Sequence, residues 1–198
     1  MPRMLTAVRR QQVASTGAVR RGARRLVACV ALGAVAVGLA ACGSSSSSTP
    51  AQTANANIAA GLKAEKAGNQ AQAIKDFQAA IAANPADAIP YYDLGVIYQG
   101  NKDSNDAVAY YHKALLANPN YQPALFNLAI AYTPTDPTQA ISLYNQLLAI
   151  NPNDADVNFN LGLLLIAQNQ ATAGHAALKK AIAINPSLAS RVPAGITP

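Results

Sequence analysis

The sequence predicts an all-α fold, an α-solenoid of four helix-turn-helix repeats that follow a signal peptide and a flexible linker. The dipeptide Asn-Pro recurs at residues 84, 118, 151 and 185, at spacings of 34, 33 and 34 residues. A period near 34 residues is typical of stacked pairs of helices. Ahead of each Asn-Pro, apolar residues recur with the helical period, which predicts amphipathic helices.

Residues 1–41 are predicted to be a signal peptide. They carry seven arginines and no acidic residue, and they end in the uncharged run Leu26–Ala41. A basic segment followed by an apolar one is typical of a secretory signal. The 16 residues of the run span about 24 Å as a helix, which is short of the roughly 30 Å hydrocarbon core of a bilayer. A permanent membrane span is therefore the weaker interpretation.

The signal ends in Leu39, Ala40, Ala41 and Cys42, which resembles the lipobox of bacterial lipoproteins. The resemblance implies that the first three residues are recognised by the signal peptidase and that Cys42 becomes the lipidated N-terminus. It also implies that the protein is held at the extracytoplasmic face of a bacterial cell membrane. The alternatives are an ordinary secretory signal or an uncleaved anchor, and both the Sec and the twin-arginine export routes stay open.

Residues 42–53 are predicted to form the lipidated cysteine and a Ser-rich tether. The segment from Gly43 to Thr53 is polar and low in complexity, so it has nothing to bury in a core. Cys29 lies in the apolar run and leaves with the signal peptide. The mature domain is therefore expected to contain no disulfide and no cysteine-based metal site.

The net charge of +6 belongs to the signal peptide alone. Residues 42–198 carry eight basic and nine acidic residues, a net charge of −1. A nearly neutral domain lacks the basic surface that follows nucleic-acid phosphates. We therefore expect no nucleic-acid partner.

Four repeats are predicted at 54–87, 88–121, 122–154 and 155–188, followed by a tail at 189–198. Repeat two has the clearest pattern, formed by Tyr91, Leu94, Gly95, Tyr98, Ala107, Tyr111, Ala114 and Pro119. This pattern resembles the tetratricopeptide repeat (TPR), and the resemblance covers about two thirds of the chain. It implies a TPR-type α-solenoid. Repeats one, three and four depart from the pattern at Asn57, Ala64, Leu147, Leu165 and Leu178.

Small residues at fixed positions predict close contact between the two helices of each repeat. They are Gly61, Gly95, Ala129 and Gly162 on the first helices, and Ala73, Ala107, Ala140 and Gly174 on the second. Side chains of this size let antiparallel helices approach closely. Phe77, Tyr111 and Tyr144 follow the second set by one helical turn. We expect them to pack each repeat against the next.

The ends of the helices are also predicted from local signals. Each Asn-Pro is expected to stop a helix, because Asn tolerates the left-handed backbone of a helix end and Pro cannot continue a helix. Ser104 is predicted to cap a helix, and Asp154 and Asp156 are predicted to lie in the first turn of another, where the helix dipole favours acidic residues. The tail is short and rich in Pro and Gly, so the apolar end of the last repeat is expected to be partly exposed.

No arrangement of residues indicates catalysis. His112 and His175 lie in different repeats without a metal-ligand partner at helical spacing, so both are predicted to be surface or boundary residues. Ser104 has no histidine placed to activate it, and no Gly-rich phosphate loop follows a strand. We therefore expect a protein that is not an enzyme and that binds no metal or cofactor.

The first helices are predicted to carry a partner-binding groove, because the TPR resemblance implies that they line a concave surface. Its apolar members are Ile58, Leu62, Tyr92, Val96, Phe126, Ile130, Phe159 and Leu163, and its polar members are Asn127 and Asn160, with Asp93 at the equivalent position. If exposed, this stripe is larger than scattered surface hydrophobes produce, and the asparagines are expected to bind a partner's backbone. The alternative is that the stripe packs between repeats or lies under the tail.

The resemblance also excludes one class of ligand. Chaperone-binding TPRs hold a terminal carboxylate with Lys and Asn at groove positions, but here those positions are filled by Ile58, Tyr92 and Phe126. An apolar extended segment or an amphipathic helix is the better-matched ligand.

These observations predict a lipid-anchored, extracytoplasmic TPR adaptor that binds a protein or peptide partner in its groove, in envelope or secretion-related assembly. The alternative is a carrier or sensor of a small apolar ligand in the same groove. Self-association through exposed end repeats is a third possibility.

Overall fold

The computed structural model describes residues 48–197, which contain helices and no strand. The eight α-helices are α1 Pro50–Lys66, α2 Gln70–Ala83, α3 Ala88–Gly100, α4 Ser104–Ala117, α5 Gln122–Tyr132, α6 Pro137–Ile150, α7 Ala155–Ala167 and α8 Ala171–Ile184, followed by a 3₁₀ helix at Pro186–Arg191. Each helix packs against its neighbours in sequence. The all-α solenoid of four helix pairs is therefore confirmed. The predicted signal peptide and Cys42 lie outside the described residues.

The first helix begins inside the segment predicted to be a tether. Thr49 caps α1, because its Oγ1 accepts a hydrogen bond from the Gln52 N–H at 3.3 Å while the Gln52 Oε1 accepts one from the Thr49 N–H at 2.8 Å. Such a capping box satisfies two backbone donors at once, and Pro50 suits the first helical position. Residues 50–53 therefore belong to α1, which corrects the predicted boundary at 53.

The Asn-Pro pairs end helices as predicted, but the predicted reason is wrong. Their asparagines have φ between −145° and −133°, which is extended backbone, as expected before proline. Each side chain accepts a hydrogen bond from the N–H two residues later, at 3.1–3.3 Å. Three described residues with positive φ lie instead between the helices of a repeat, at Gly68, Lys102 and Asn169, and a fourth, Gly195, lies in the tail. Repeat three has no such residue among those described, and it is one residue shorter.

The left-handed backbone at Lys102 leads to a stability prediction. Lys102 has a φ of 65°, whereas Gly68 occupies the equivalent position in repeat one with a φ of 76°. This conformation costs an L-residue roughly 1–2 kcal/mol, and a Lys102→Gly change relieves it while adding chain entropy to the unfolded state. We expect a gain of about 0.5–1 kcal/mol in the free energy of unfolding, measured with urea. The matched change Lys63→Gly, in the helical backbone of α1, should cost about 1 kcal/mol.

The predicted close approach of paired helices is confirmed. A methyl group on Gly61 would lie 2.7 Å from the Phe77 ring, and one on Gly95 would lie 2.5 Å from the Tyr111 ring. In repeat four, a methyl group on Gly174 would lie 2.7 Å from the backbone oxygen of Gly162. The first two contacts involve side chains, but the third brings two backbones together. The helix pair α7 and α8 is therefore the most tightly constrained of these three.

The predicted aromatic residues are buried, and the one in repeat one packs across the boundary between repeats. Phe77 lies in a cluster with Ile58 of α1 and with Leu94 and Ile97 of α3. Repeat one therefore buries this apolar surface by contact with repeat two, as in other stacked-repeat proteins.

The C-terminal tail covers the end of the solenoid, which corrects the expectation of an exposed apolar end. Leu188 of the 3₁₀ helix is buried in a cluster with Phe159, and Val192 and Ile196 pack against that cluster. The Asn185 Oδ1 accepts hydrogen bonds from the backbone N–H and the hydroxyl of Ser187. These hydrogen bonds stabilise a turn after α8, from which the C-terminal segment runs back across repeat four.

Within residues 48–197, no helix combines the length and the hydrophobicity that a membrane crossing requires.

Candidate functional site

The predicted groove residues form two rows with different exposure. In the first row, Ile58 and Phe126 are 8% exposed, Tyr92 is 4% exposed and Phe159 is 2% exposed. The second row follows each of these by four residues and is half-buried; it consists of Leu62, Val96, Ile130 and Leu163. Residues four apart share a helix face, so both rows lie on the same side of the first helices. Packing between repeats, the alternative to an exposed stripe, therefore applies to the first row.

The first row is buried because it packs against neighbouring helices. Phe126 meets the ring of Tyr144 edge-on, with centroids 6.2 Å apart. Tyr92 contacts the rings of Tyr111 and Tyr121, with centroids 5.9 and 5.5 Å apart. The first row thus stabilises the stack. In the second row, Leu62 and Leu163 also pack against core clusters while remaining half-buried, and Val96 and Ile130 are half-buried as well.

A buried polar cluster joins repeats two and three beneath the groove. The Asn127 amide donates hydrogen bonds to the hydroxyls of Tyr92 at 3.4 Å and Tyr111 at 3.3 Å. The Tyr111 hydroxyl donates to the Gln99 side-chain oxygen. The amide of Asn127 is therefore used to tie α5 to α3 and α4, which corrects its predicted role in binding a partner's backbone.

Burial also sets the protonation of the Tyr111 hydroxyl in this cluster and of the Tyr144 hydroxyl on α6. Burial raises the pKa of Tyr111 well above its ordinary value; the neighbouring Tyr92 and Asp93 add to this shift, and the hydrogen bond from Asn127 opposes it. Burial likewise raises the pKa of Tyr144 to about 12. Both hydroxyls are neutral at physiological pH and act as hydrogen-bonding groups rather than as acids.

The other predicted polar groove residues are also engaged within the chain. The Asn160 amide donates to the backbone oxygen of Asp156 at 2.9 Å, and Asp93 is buried. Gln99 was missed by the sequence argument. Gln99 lies seven residues after Tyr92, which places both on one helix face. Helical periodicity could therefore have predicted that Gln99 lies beside the groove residues.

The residues considered for chemistry occupy structural positions. His112 is exposed, with its Nε2 2.8 Å from the Tyr132 hydroxyl, and His175 is half-buried, in agreement with the prediction for both. Within the part of the chain that is described, no three His, Cys, Asp or Glu side chains are grouped as a metal site.

The predicted cap Ser104 and the predicted first-turn acid Asp154 are both corrected. Asp103, rather than Ser104, caps α4 by accepting a hydrogen bond from the Asp106 N–H at 3.4 Å. Asp154 precedes α7 as its cap and accepts from the Val157 N–H at 3.0 Å. Asp156 lies in the first turn of α7, as predicted. The capping aspartates thus accept hydrogen bonds from backbone N–H groups at the start of helices, which is a structural role.

A separate surface depression of about 710 Å³ lies outside the groove. Its lining is formed by Ile81, Pro85, Ala86, Tyr91, Lys113, Leu116 and Ala117. None of these residues belongs to the two groove rows.

Models of the tetratricopeptide repeat match three stretches of the chain, residues 58–104, 88–121 and 135–192. The photosystem I assembly protein Ycf3 of Acaryochloris marina is 36% identical over 73 residues, covering 35% of this chain and 44% of that protein. Tetratricopeptide repeat protein 6 of Homo sapiens is 36% identical over 73 residues, covering 37% of this chain and 14% of that protein. The chain thus spans less than half the length of these curated relatives.

Solved structures share the fold. The MamA protein of Desulfovibrio magneticus RS-1 has a TM-score of 0.61 at 21% identity, covering 68% of this chain and 76% of that one. A tetratricopeptide repeat protein from Parabacteroides merdae has a TM-score of 0.62 at 24% identity, covering 68% and 54%. The first TPR of Spaghetti (RPAP3), bound to an HSP90 peptide, has a TM-score of 0.56 at 21% identity, covering 60% and 98%. At these identities the likeness concerns the fold alone.

Proposed function

We propose that this chain, which is a tetratricopeptide repeat protein, is a non-enzymatic adaptor that binds a protein or peptide partner along the second row of its groove. The observation that carries the proposal is the half-buried row of Leu62, Val96, Ile130 and Leu163, which recurs once in each repeat. A regular series of aliphatic side chains on consecutive helices suits an extended or helical ligand with regularly spaced apolar residues. A TPR bound to a peptide among the structural neighbours is in keeping with such a role.

The chemistry of the groove favours an apolar ligand over a terminal carboxylate. The groove positions at which chaperone-binding TPRs carry Lys and Asn hold Ile58, Tyr92 and Phe126 here, and all three are buried. The amide of Asn127 is engaged with two tyrosines. A ligand carboxylate would therefore lose its hydration without gaining a cation in return.

Mutation of Val96 and Ile130 tests the proposal at two second-row positions that are half-buried. We expect Val96→Glu combined with Ile130→Glu to lower partner recovery at least tenfold after cross-linking in membranes, because a charge on each side chain disfavours an apolar ligand. The matched control is Leu116→Glu, since Leu116 is 84% exposed on α4. Circular dichroism checks that all variants are folded. Identical sets of cross-linked proteins in the double variant and in the control would contradict the groove assignment.

The second part of the proposal is a lipid anchor at Cys42 that holds the adaptor on the extracytoplasmic face of a bacterial membrane, in envelope or secretion-related assembly. It is supported by the order of a basic segment, an apolar run, Leu39–Cys42 and a serine tract. Confining the adaptor and its partner to one surface raises their effective concentration.

Metabolic labelling with a palmitate analogue tests the anchor. The label should be lost in Cys42→Ser, because the thioether to the lipid requires that sulfur, and should be retained in Cys29→Ser, the matched control. Equal labelling of the two variants, or a Cys42→Ser protein that still partitions into detergent, would contradict lipidation at Cys42.

A further inference from the structure

The C-terminal segment 186–196 lies across an apolar surface at the end of repeat four. The surface consists of Phe159, Leu178 and Ala181, which are buried with Leu188 in one cluster. Val192 and Ile196 pack against this cluster from the segment that follows the 3₁₀ helix. Without the segment, the solenoid would end in an exposed apolar face.

The same surface occurs in repeat one, where a helix covers it. Phe159, Leu178 and Ala181 each follow their counterparts Ile58, Phe77 and Ala80 by 101 residues. Those counterparts lie in a cluster with Leu94 and Ile97 of α3. The covering helix thus presents two large aliphatic residues three positions apart, which share a helix face. In repeat four, an irregular segment covers the surface that a helix covers in repeat one.

Leu188 anchors the covering segment in the core, and the residues after it are held by half-buried and local contacts. The segment's backbone hydrogen bonds span three residues each, from Leu188, Val192 and Ile196 to Asn185, Ala189 and Pro193. Arg191 lies over the Phe159 ring at 4.9 Å and pairs with Asp156 at 3.4 Å, with both side chains substantially exposed. Exposed ion pairs contribute little to stability, and segments with few buried contacts open more readily than the whole domain unfolds.

We propose that residues 186–196 are a displaceable strap over a second docking surface, and that this surface accepts an amphipathic helix of a partner protein carrying two large aliphatic residues three positions apart. Helix α1 of a second copy of the chain does not match this description. The residues of α1 that correspond to Leu94 and Ile97 are Ala60 and Lys63. A small side chain and a charge there oppose head-to-tail stacking. Since the surface lies at the end of repeat four, the inference does not depend on binding at Val96 and Ile130.

A labelled peptide with the sequence of residues 87–101 serves as the probe, because it carries the aliphatic pair of α3. Binding to the full chain in detergent is compared with binding to the Val192→Asp, Ile196→Asp double variant by fluorescence anisotropy. Both residues are half-buried, so the substitutions loosen the strap without entering the core. We expect at least tenfold tighter binding to the variant, and competition by a free peptide of residues 186–198. A control peptide with Asp at both aliphatic positions should not bind.

Equal affinity of the two proteins for the probe, or equal binding of the control peptide, would overturn the inference. Concentration-dependent dimerisation of the strap variant, measured by light scattering, would identify a second copy as the occupant and would equally overturn it. If the double variant loses helical content, Arg191→Glu replaces it, since that change removes only exposed contacts; a gain of about threefold is then expected, and no gain would overturn the inference. The Val96→Glu, Ile130→Glu variant should bind the probe as the unmodified chain does, which separates this test from that of the groove.

Discussion

Replacing Gly174 with alanine is expected to lower the free energy of unfolding by about 1–2 kcal/mol. The added methyl group would lie 2.7 Å from the backbone oxygen of Gly162 and 2.9 Å from the backbone nitrogen of Ile166. Neither atom can move without displacing α7, so the helices must separate. Overpacking of this kind costs about 1–3 kcal/mol and occasionally more, whereas the higher helix propensity of alanine returns about 1 kcal/mol. Urea unfolding followed by circular dichroism measures the difference.

The matched control for this substitution is Gly100→Ala. Gly100 is helical, and a methyl group there would meet no atom within 4 Å, so only the propensity gain of up to about 1 kcal/mol should remain. Gly61→Ala should fall between the two, because its obstacle is the Phe77 ring, a side chain that can shift. A Gly174→Ala protein as stable as the Gly100→Ala protein would show that the two helices are not held by this approach.

The repeat boundaries and the small-residue pairs were predictable because each depends on a local signal at a fixed register. Asn-Pro stops a helix whatever surrounds it, since the proline excludes helical backbone at the residue before it. A large side chain such as that of Tyr111 requires a small residue such as Gly95 on the facing helix, and this pairing recurs with the period of the repeats. Even so, the conformation of each asparagine was misjudged, because its side chain forms an alternative hydrogen bond.

Exposure within the groove was not predictable from spacing. Tyr92 and Val96 are four residues apart on α3 and therefore share a face. Tyr92 is buried because Tyr121 and Tyr111 reach it from neighbouring elements, whereas Val96 is half-buried. Which of the two is covered depends on contacts across repeats, and these depend on how adjacent helix pairs are oriented. The packing of the tail over repeat four could not be predicted for the same reason, because it depends on the surface that the tail contacts.

Truncating Phe77 to alanine is expected to have the largest effect of any single change proposed, about 3–5 kcal/mol in the free energy of unfolding. The side chain is fully buried. Its ring fills the space above Gly61 and packs with Ile58 and Leu94. Because Gly61 has no side chain, the part of α1 that faces the ring offers no atom to refill the cavity there, so relaxation only partly reduces the loss. Leu116→Ala, at an exposed site, should change stability by less than about 0.5 kcal/mol.

The loss should also be uneven along the chain. In stacked repeats each unit contacts only its neighbours, so stability is a sum of terms for single repeats and for their interfaces. Phe77 contributes to repeat one and to its interface with repeat two. Amides of α1 and α2 should therefore lose hydrogen-exchange protection in Phe77→Ala, while those of α7 and α8 keep most of theirs. Equal loss of protection in all helices would mean that the four repeats unfold as one cooperative unit, and that the interface terms dominate over the terms for single repeats.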